Sequence, residues 1–370
     1  MVRALLRAPD LQPVVVNTGQ HKEMLDGLLD ELDVEADHHL GVMRPAQPLS
    51  SLTGRLIHEL GTTVRQVRPE AVVVQGDTAG ALAGAIAGFY EHVPVAHVEA
   101  GLRSGILGDP FPEEVNRRFI GQLARWHFAP TERAASNLRA EGVDDRRIEM
   151  TGNTVIDNLL WALGRPRHRG VFGPGRRRVL VTLHRRENQG RVMEGLARAL
   201  ALLAEPGDVE VVLPLHKSPT VREVLVPALA GLPGVRLVEP FGYTEFVAAM
   251  ADAEVILTDS GGVQEEAPTL GRPVVVLRQT TERHEAIEAG FAHLAGIDPA
   301  RICSVTRALL ESPVPHAAAG GRPNPFGDGK AAERIVGRLR IDLAGTADGG
   351  RADGGRLAGL AAPAGRAAGG

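Results

Sequence analysis

Short runs of apolar residues recur along the chain, separated by longer stretches in which apolar positions repeat with helical spacing. The short runs are rich in valine and contain few polar residues, which is typical of strands buried on both faces of a parallel sheet. Stretches such as 190–204 and 263–270 have the period of amphipathic helices. This alternation predicts an α/β fold with doubly wound parallel sheets. The predicted strands are residues 13–17, 71–75, 93–98, 126–129, 148–150, 178–183, 209–215, 235–238, 253–258 and 273–277.

The order of these units predicts two α/β domains that face each other across a cleft. Residues 164–178 are dense in glycine, proline and arginine and have no apolar period, which is typical of a linker. The linker separates a domain at 1–163 from a domain at 179–323. Residues 344–370 are rich in glycine and alanine and are expected to be a disordered tail, because they cannot bury a core. Ligands of open parallel sheets collect at the carboxyl ends of the strands, so the cleft is the expected site.

Composition narrows the class of protein. Lysine and arginine total 41 and aspartate and glutamate 45, so the net charge of −4 disfavours a nucleic-acid partner. The single cysteine, Cys303, excludes an internal disulfide and a multi-cysteine zinc site, and it fits a reducing compartment. No apolar run approaches the ~20 residues of a membrane span, and the start of the chain lacks a signal-peptide pattern. The chain is therefore predicted to be cytoplasmic, with no metal and no membrane partner.

Acidic residues follow predicted strands in the first half. Asp77 follows strand 71–75 and Glu99 follows strand 93–98, so we expect the two carboxylates to lie side by side. Glu113 and Glu114 follow Pro112, at a predicted helix start. Stabilisation of the helix dipole would explain both glutamates without any catalysis. The functional alternative is that several acids line one wall of the cleft and transfer protons to and from a substrate.

The second half has glycine-rich and cationic strand ends. Ser260, Gly261 and Gly262 follow strand 253–258 and indicate either an anion site or a tight turn with a capping serine. Glu266 lies one turn further on, where it could accept ribose hydroxyls or stand solvated. Other candidates are cationic, and each of them could bind an anion. The alternative is an ordinary surface pair, such as Arg283 with Glu285, or, for His21 and Lys22, a solvated helix N-terminus. These candidates are His184, Arg185, Arg283, His21 and Lys22. No G-x-G-x-x-G follows a strand, which weakens a dehydrogenase interpretation.

Taken together and in order, these clusters resemble the non-hydrolysing UDP-N-acetylglucosamine 2-epimerases. The resemblance covers about residues 4–343. It implies two Rossmann-like domains of the glycosyltransferase B type around a deep cleft, the second of which binds UDP. It also implies a final helix at 324–343 that completes the first domain. The matching stretches are residues 18–25, 76–78, 97–105, 111–118, 151–160, 184–188, 258–283 and 324–335.

The resemblance implies reversible epimerisation at C2, between UDP-N-acetylglucosamine and UDP-N-acetylmannosamine. UDP is eliminated with loss of the C2 proton, and it adds back to the bound glycal with protonation from the other face. The resemblance implies no cofactor, a homodimer, and a product used for surface polysaccharide. Two alternative enzymes are the hydrolysing relative, which frees UDP and N-acetylmannosamine, and a sugar transferase of the same fold.

The resemblance also assigns roles to individual residues. Acid/base positions match Asp77, Glu99 and Glu113, without deciding which carboxylate serves which face, and His184 matches a histidine that helps UDP leave. The nucleotide would be bound at Ser260, Gly261 and Gly262 (phosphate), Glu266 (ribose), Arg283 (diphosphate) and Phe246 (uracil). A second UDP-N-acetylglucosamine, acting as an activator, would be bound at Gln20, His21, Arg185 and His216, although Glu23 stands where several members carry glutamine.

The chain departs from the family at its start, which falls inside the family's first helix. The first strand of domain 1 and its Gly-Thr-Arg-Pro-Glu loop are missing. Either the natural protein is ~15–20 residues longer, the length of one strand and a loop, or the chain is an inactive nucleotide-sugar binder. The first explanation is favoured because the catalytic set is otherwise intact.

Overall fold

The computed structural model describes residues 1–19, 22–44, 47–165, 170–185, 188, 190–311 and 323–348 of the 370-residue chain. Strands alternate with helices there, as predicted, and the pairings between these strands are parallel. The strands are β1 Val16–Asn17, β2 His38–His39, β3 Val72–Gln75, β4 Val95–Val98, β5 Trp126–Ala129, β6 Ile148–Met150, β7 Arg177–Thr182, β8 Val209–Pro214, β9 Val235–Val238, β10 Val255–Thr258, β11 Val274–Val276 and β12 Ala292–Leu294. The helices are α1 Val2–Leu6, α2 Lys22–Glu31, α3 Leu49–Val67, α4 Ala79–Tyr90, α5 Glu113–Leu123, α6 Glu132–Ala140, α7 Thr154–Leu163, α8 Arg191–Ala204, α9 Pro219–Leu229, α10 Tyr243–Asp252, α11 Gly261–Glu266, α12 His284–Glu288, α13 Pro299–Glu311 and α14 Ala331–Asp348.

The second half of the chain forms one six-stranded sheet with the order β12-β11-β10-β7-β8-β9. Its inner strands β7, β8, β10 and β11 are largely buried on both faces. Along β7, for example, Val179 and Val181 pack in one core and Leu180 in the other. The valine-rich runs predicted this burial correctly. Strand β12 was not predicted, since it has only three residues and no apolar run.

Strands of the first half lie in two separate pieces, β3-β4-β5-β6 and β1-β2. Strand β1 is shorter than the predicted run at 13–17, because the backbone N–H of Val15 donates to the Asp37 carboxylate at 2.7 Å instead of joining a ladder. In the described part of the chain no strand pairing joins β1 to β3, and Val73 of β3 is 38% exposed.

The C-terminal helix α14 packs on the first half of the chain. Ile335 and Leu339 lie in the core formed by β4 and β5, and the Asp157 carboxylate of α7 accepts from the backbone N–H groups of Ala331 and Ala332. The helix ends at Asp348 rather than at 343, so the predicted tail begins five residues too early, and the rest of it lies outside the described residues. Strand β7 begins at Arg177, inside the predicted linker. The division into domains stays a prediction.

No helix among the described residues is both long and apolar enough to cross a membrane. Cys303 is half-buried on α13, and its thiol donates to the carbonyl of Ala199 at 3.2 Å.

Two histidines are buried side by side in the four-stranded sheet. His97 on β4 is paired in register with His127 on β5, and they are 1% and 0% exposed. Burial lowers the pKa of His97 to about 4 and that of His127 to about 3. Both rings are therefore neutral in the folded protein near neutral pH.

We expect acid to destabilise the fold through these rings. In the unfolded chain both would protonate near pH 6.5, so their contribution is complete above that pH and is lost as pH falls toward the folded pKa values. We expect the free energy of unfolding to fall by about 2 kcal/mol per histidine between pH 7 and pH 5. Urea unfolding at both pH values should show a smaller loss for His127→Phe than for wild type. His58→Gln, at an exposed position of α3, is the control. An equal loss in wild type and His127→Phe would contradict the assignment.

Candidate active site

Asp77 and Glu99 lie together at the carboxyl ends of β3 and β4, as their positions after neighbouring strands predicted. Glu99 has a left-handed backbone, with a φ of 67°, and Gly76 has a φ of 71°. The ring of His97 hydrogen-bonds the Gly76 carbonyl through Nε2 at 2.8 Å, which fixes the loop that carries Asp77. Burial raises the pKa of Glu99; the Arg283 guanidinium opposes the shift and Asp77 adds to it.

Glu113 and Glu114 begin α5 but have different surroundings. Glu114 is fully buried and accepts from the backbone of Ser104 and from the Arg117 and Arg118 guanidiniums. Oε2 of Glu113 is buried and has no hydrogen-bond partner within the described part of the chain. Glu114 therefore stabilises the start of α5 and the loop at Ser104, whereas Glu113 has an oxygen available to a bound molecule.

Arg117, which the sequence reasoning missed, joins the acidic residues to each other. Its side chain is 3% exposed, and it contacts Asp77 through Nε at 2.8 Å and Glu114 through Nη1 at 2.9 Å. Its Nη2 lies 3.8 Å from Oε1 of Glu282 in the second half of the chain. Its position one turn after Glu113 and Glu114 is the signal that could have identified it.

His184 is positioned on the opposite wall by Asp259. The Asp259 carboxylate is fully buried, accepts from the backbone N–H of His184 and of Arg185, and lies 3.2 Å from Nδ1 of His184. The amide of Asn188 donates to the same carboxylate at 3.0 Å. The His184 ring stacks on His216 with 6.2 Å between centroids. Asp259 was not among the predicted residues, although it directly follows strand β10.

Arg283 lies against the glycine-rich turn at the start of α11. A Cβ on Gly261 would come within 2.9 Å of its Cζ, so only glycine leaves room for the guanidinium. Arg283 contacts three carboxylates rather than the alternative partner Glu285, which accepts from Thr131 instead. These carboxylates are Glu99, Glu265 and Glu282. Burial disfavours the charged form, but the three carboxylates together raise the pKa of Arg283.

Glu265 and Glu266 are both buried, so the interpretation of Glu266 as a solvated residue is wrong. Glu266 accepts from the Tyr243 hydroxyl at 2.7 Å, and burial raises its pKa to about 7. Glu265 accepts from the Asn153 amide and from Nε of Arg283. Burial raises the pKa of Glu265 to about 8. Glu265 was missed because nothing in the sequence distinguishes it from its neighbour.

The structure describes some of the remaining predicted site residues. Phe246 lies in the first turn of α10 and is half-buried against the core that contains Val247. Arg185 lies near Glu282, with Nη2 at 3.8 Å from Oε1. Gln20 and His21 lie outside the described residues, so the activator site stays a prediction.

The described side chains include no group of three or more His, Cys, Asp and Glu arranged to hold a metal ion. Four of the acidic residues are instead paired with arginines, namely Asp77, Glu99, Glu265 and Glu282. The predicted lack of a cofactor stays a prediction.

Carboxylates on one wall of the cleft thus face a histidine and arginines on the other. Arg283 reaches across to Glu99 at 3.3 Å. Such a site can move protons on one side of a substrate while cations hold an anionic group on the other.

Known proteins are similar to this chain in sequence and fold. The family model described as UDP-N-acetylglucosamine 2-epimerase matches residues 3–340. The UDP-N-acetylglucosamine 2-epimerase of Escherichia coli strain K12 is 43% identical, over 92% of this chain and 94% of its own. The crystal structure of UDP-GlcNAc 2-epimerase from Neisseria meningitidis bound to UDP-GlcNAc is 38% identical with a TM-score of 0.87, covering 92% of this chain and 95% of that one. The Methanocaldococcus jannaschii enzyme in complex with UDP-GlcNAc and UDP is 32% identical with a TM-score of 0.81, covering 92% and 94%.

Proposed function

The chain belongs to the UDP-N-acetylglucosamine 2-epimerase family, and from that premise we propose how its cleft converts UDP-N-acetylglucosamine reversibly into UDP-N-acetylmannosamine. It is an isomerase with a two-domain, Rossmann-like α/β fold. The observation that carries the proposed mechanism is that Asp77 lies near Glu99 and that Glu99 contacts Arg283 across the cleft. The same cleft has Glu113 at the start of α5 and His184 at the end of β7.

Elimination of UDP is the first chemical step that we propose. The C2 hydrogen is weakly acidic, so its removal needs a positioned base, and the departing diphosphate must be stabilised. A carboxylate takes the proton, the C–H electron pair forms the C1–C2 double bond, and the C1–O bond breaks with its electrons on UDP. His184 and Arg283 stabilise the departing diphosphate. In the reverse addition, an acid on the opposite face protonates C2 and UDP returns to C1, which inverts C2.

Nucleotide contacts are proposed from the second half of the chain. Ser260, Gly261 and Gly262 hold phosphate, Glu266 the ribose, and Phe246 packs near uracil. The buried Glu266 carboxylate supports this role, because it already accepts from one hydroxyl, that of Tyr243. A second UDP-N-acetylglucosamine acting at Gln20, His21, Arg185 and His216 remains part of the proposal. The stacking of His184 on His216 would connect that activator site to the reacting diphosphate.

We also propose that the enzyme is a cytoplasmic homodimer whose product supplies surface polysaccharide synthesis. The exposed aromatic pair at the end of α4, Phe89 and Tyr90, supports a protein contact there, since the side chains are 46% and 68% exposed. Light scattering after size exclusion measures the mass directly. The single Cys303 fits a reducing compartment.

Proton NMR of UDP-N-acetylglucosamine in deuterated buffer tests the reaction. We expect deuterium at C2 of both epimers, because the proton removed from one face is replaced by solvent deuterium on the other. Release of free UDP with N-acetylmannosamine would identify the hydrolysing reaction instead. Binding of UDP without exchange at C2 would refute the epimerase mechanism and leave a nucleotide-sugar binder.

A further inference from the structure

Every nitrogen of the Arg283 guanidinium already has a carboxylate partner. Nε contacts Glu265 at 2.8 Å, Nη1 contacts Glu282, and Nη2 contacts Glu99 at 3.3 Å. The Arg283 side chain is only 8% exposed. A diphosphate that reaches this guanidinium must therefore share it with a carboxylate or displace one.

Glu99 is the partner that can be displaced. Its distance to Arg283, 3.3 Å, is longer than the 2.8 Å of Glu265. Its side chain is 17% exposed, against 1% for Glu265 and for Glu282. Glu282 is held in addition by Arg278 at 3.1 Å, and the Asn153 amide donates to Glu265. Glu99 follows β4 in the first half of the chain, whereas Glu265 and Glu282 lie in the same half as Arg283.

Displacement leaves the Glu99 carboxylate in an unfavourable field. The groups that face it are Asp77 at the end of β3, Arg117 on α5, Asn153 before α7, Glu265 on α11 and Arg283 after β11. Arg117 is already shared between Asp77 and Glu114. A partly buried carboxylate that loses its cation and gains a neighbouring diphosphate is neutralised rather than left charged.

We propose that binding of a nucleoside diphosphate at Arg283 transfers one proton from solvent to Glu99. The carboxylate becomes a neutral carboxylic acid, and the arginine exchanges it for phosphate oxygens. This inference rests on the proposed function of the site, and it assigns Glu99 a role in the proposed proton transfer. In the direction that consumes UDP-N-acetylglucosamine, Glu99 is then the proton donor and another carboxylate is the proton acceptor; in the reverse direction the two exchange roles. Burial already raises the pKa of Glu99 even with Arg283 beside it, in agreement with this order of events.

Calorimetric titration of UDP into the full chain at pH 7.5, in buffers of different ionisation enthalpy, tests the proposal. The dependence of binding heat on buffer gives the number of protons taken up. Wild type should take up about 0.3–1 proton more per UDP than Glu99→Gln. The ionisation of UDP itself contributes equally to both proteins and cancels in the difference. Glu113→Gln is the matched control, because Glu113 is a cleft glutamate outside the contacts of Arg283.

Affinity provides a second readout. The Kd of wild type should rise with pH above neutrality, by up to about tenfold per unit, whereas Glu99→Gln should show a weaker dependence and bind UDP at least as tightly at pH 8. Equal proton uptake by wild type and Glu99→Gln would overturn the proposal while leaving the nucleotide site intact. Loss of uptake in Glu265→Gln but not in Glu99→Gln would overturn it in favour of Glu265. Absence of UDP binding in every protein would refute the proposed function itself, and this inference with it.

Discussion

Glu113→Gln is expected to lower kcat by about 10²–10⁴-fold, the usual contribution of a general acid or base, without loss of stability. Glutamine keeps the shape of the side chain but can neither take up nor release a proton as a carboxylate does. Oε2 of Glu113 has no hydrogen-bond partner among the described residues, so the amide breaks no bond recorded there. Initial rates of epimerisation and the midpoint of urea unfolding are the two measurements.

Glu114→Gln is the matched control, because the two glutamates are adjacent on α5. Glu114 is 0% exposed and paired with the buried Arg117. Removing its charge breaks a buried ion pair, which costs on the order of 3 kcal/mol of stability. We therefore expect lower stability for Glu114→Gln and lower kcat for Glu113→Gln. Full activity of Glu113→Gln would remove Glu113 from the proton-transfer set.

The positions of the reacting groups could be predicted because a parallel sheet places all carboxyl ends at one edge. Asp77 and Glu99 follow strands that proved to be neighbours, β3 and β4. The register of that pair, with Gln75 opposite Val98, brings both following loops to the same level. Knowledge of strand order alone was enough to place these two carboxylates together.

The pairing of charges could not be predicted, because it depends on contacts between residues far apart in the chain. Arg283 and Glu99 are separated by 184 positions, and Arg117 on α5 and Glu282 after β11 likewise come from different halves of the chain. Their closeness in sequence suggested Glu285 as the partner of Arg283, but in the structure Glu285 accepts a hydrogen bond from Thr131. The sequence shows which side chains are charged and which of them are neighbours along the chain. Only the tertiary structure determines which of them form buried ion pairs.

Gly261→Ala is expected to weaken UDP binding by about 10–100-fold, the equivalent of one lost hydrogen bond to a charged group. The new Cβ would lie 2.9 Å from Cζ of Arg283, 3.1 Å from Nη1 and 3.2 Å from Nη2. The guanidinium can move away only by breaking one of its carboxylate contacts, because all three nitrogens are engaged. Calorimetry with UDP and kcat/KM for UDP-N-acetylglucosamine measure the effect.

Gly262→Ala separates this steric effect from other properties of the loop. Both glycines lie in α11, so alanine brings the same gain in helix propensity, about 1 kcal/mol, at either position. A Cβ on Gly262 would find its nearest atom, Oγ of Ser260, at 4.0 Å. Gly262→Ala should therefore bind UDP about as tightly as wild type. Equal losses in both variants would mean that the phosphate held by this loop lies so close to both Cα atoms that any Cβ obstructs it, whatever the position of Arg283. A loss confined to Gly261→Ala would instead identify the placement of Arg283 as the reason that the turn requires glycine there.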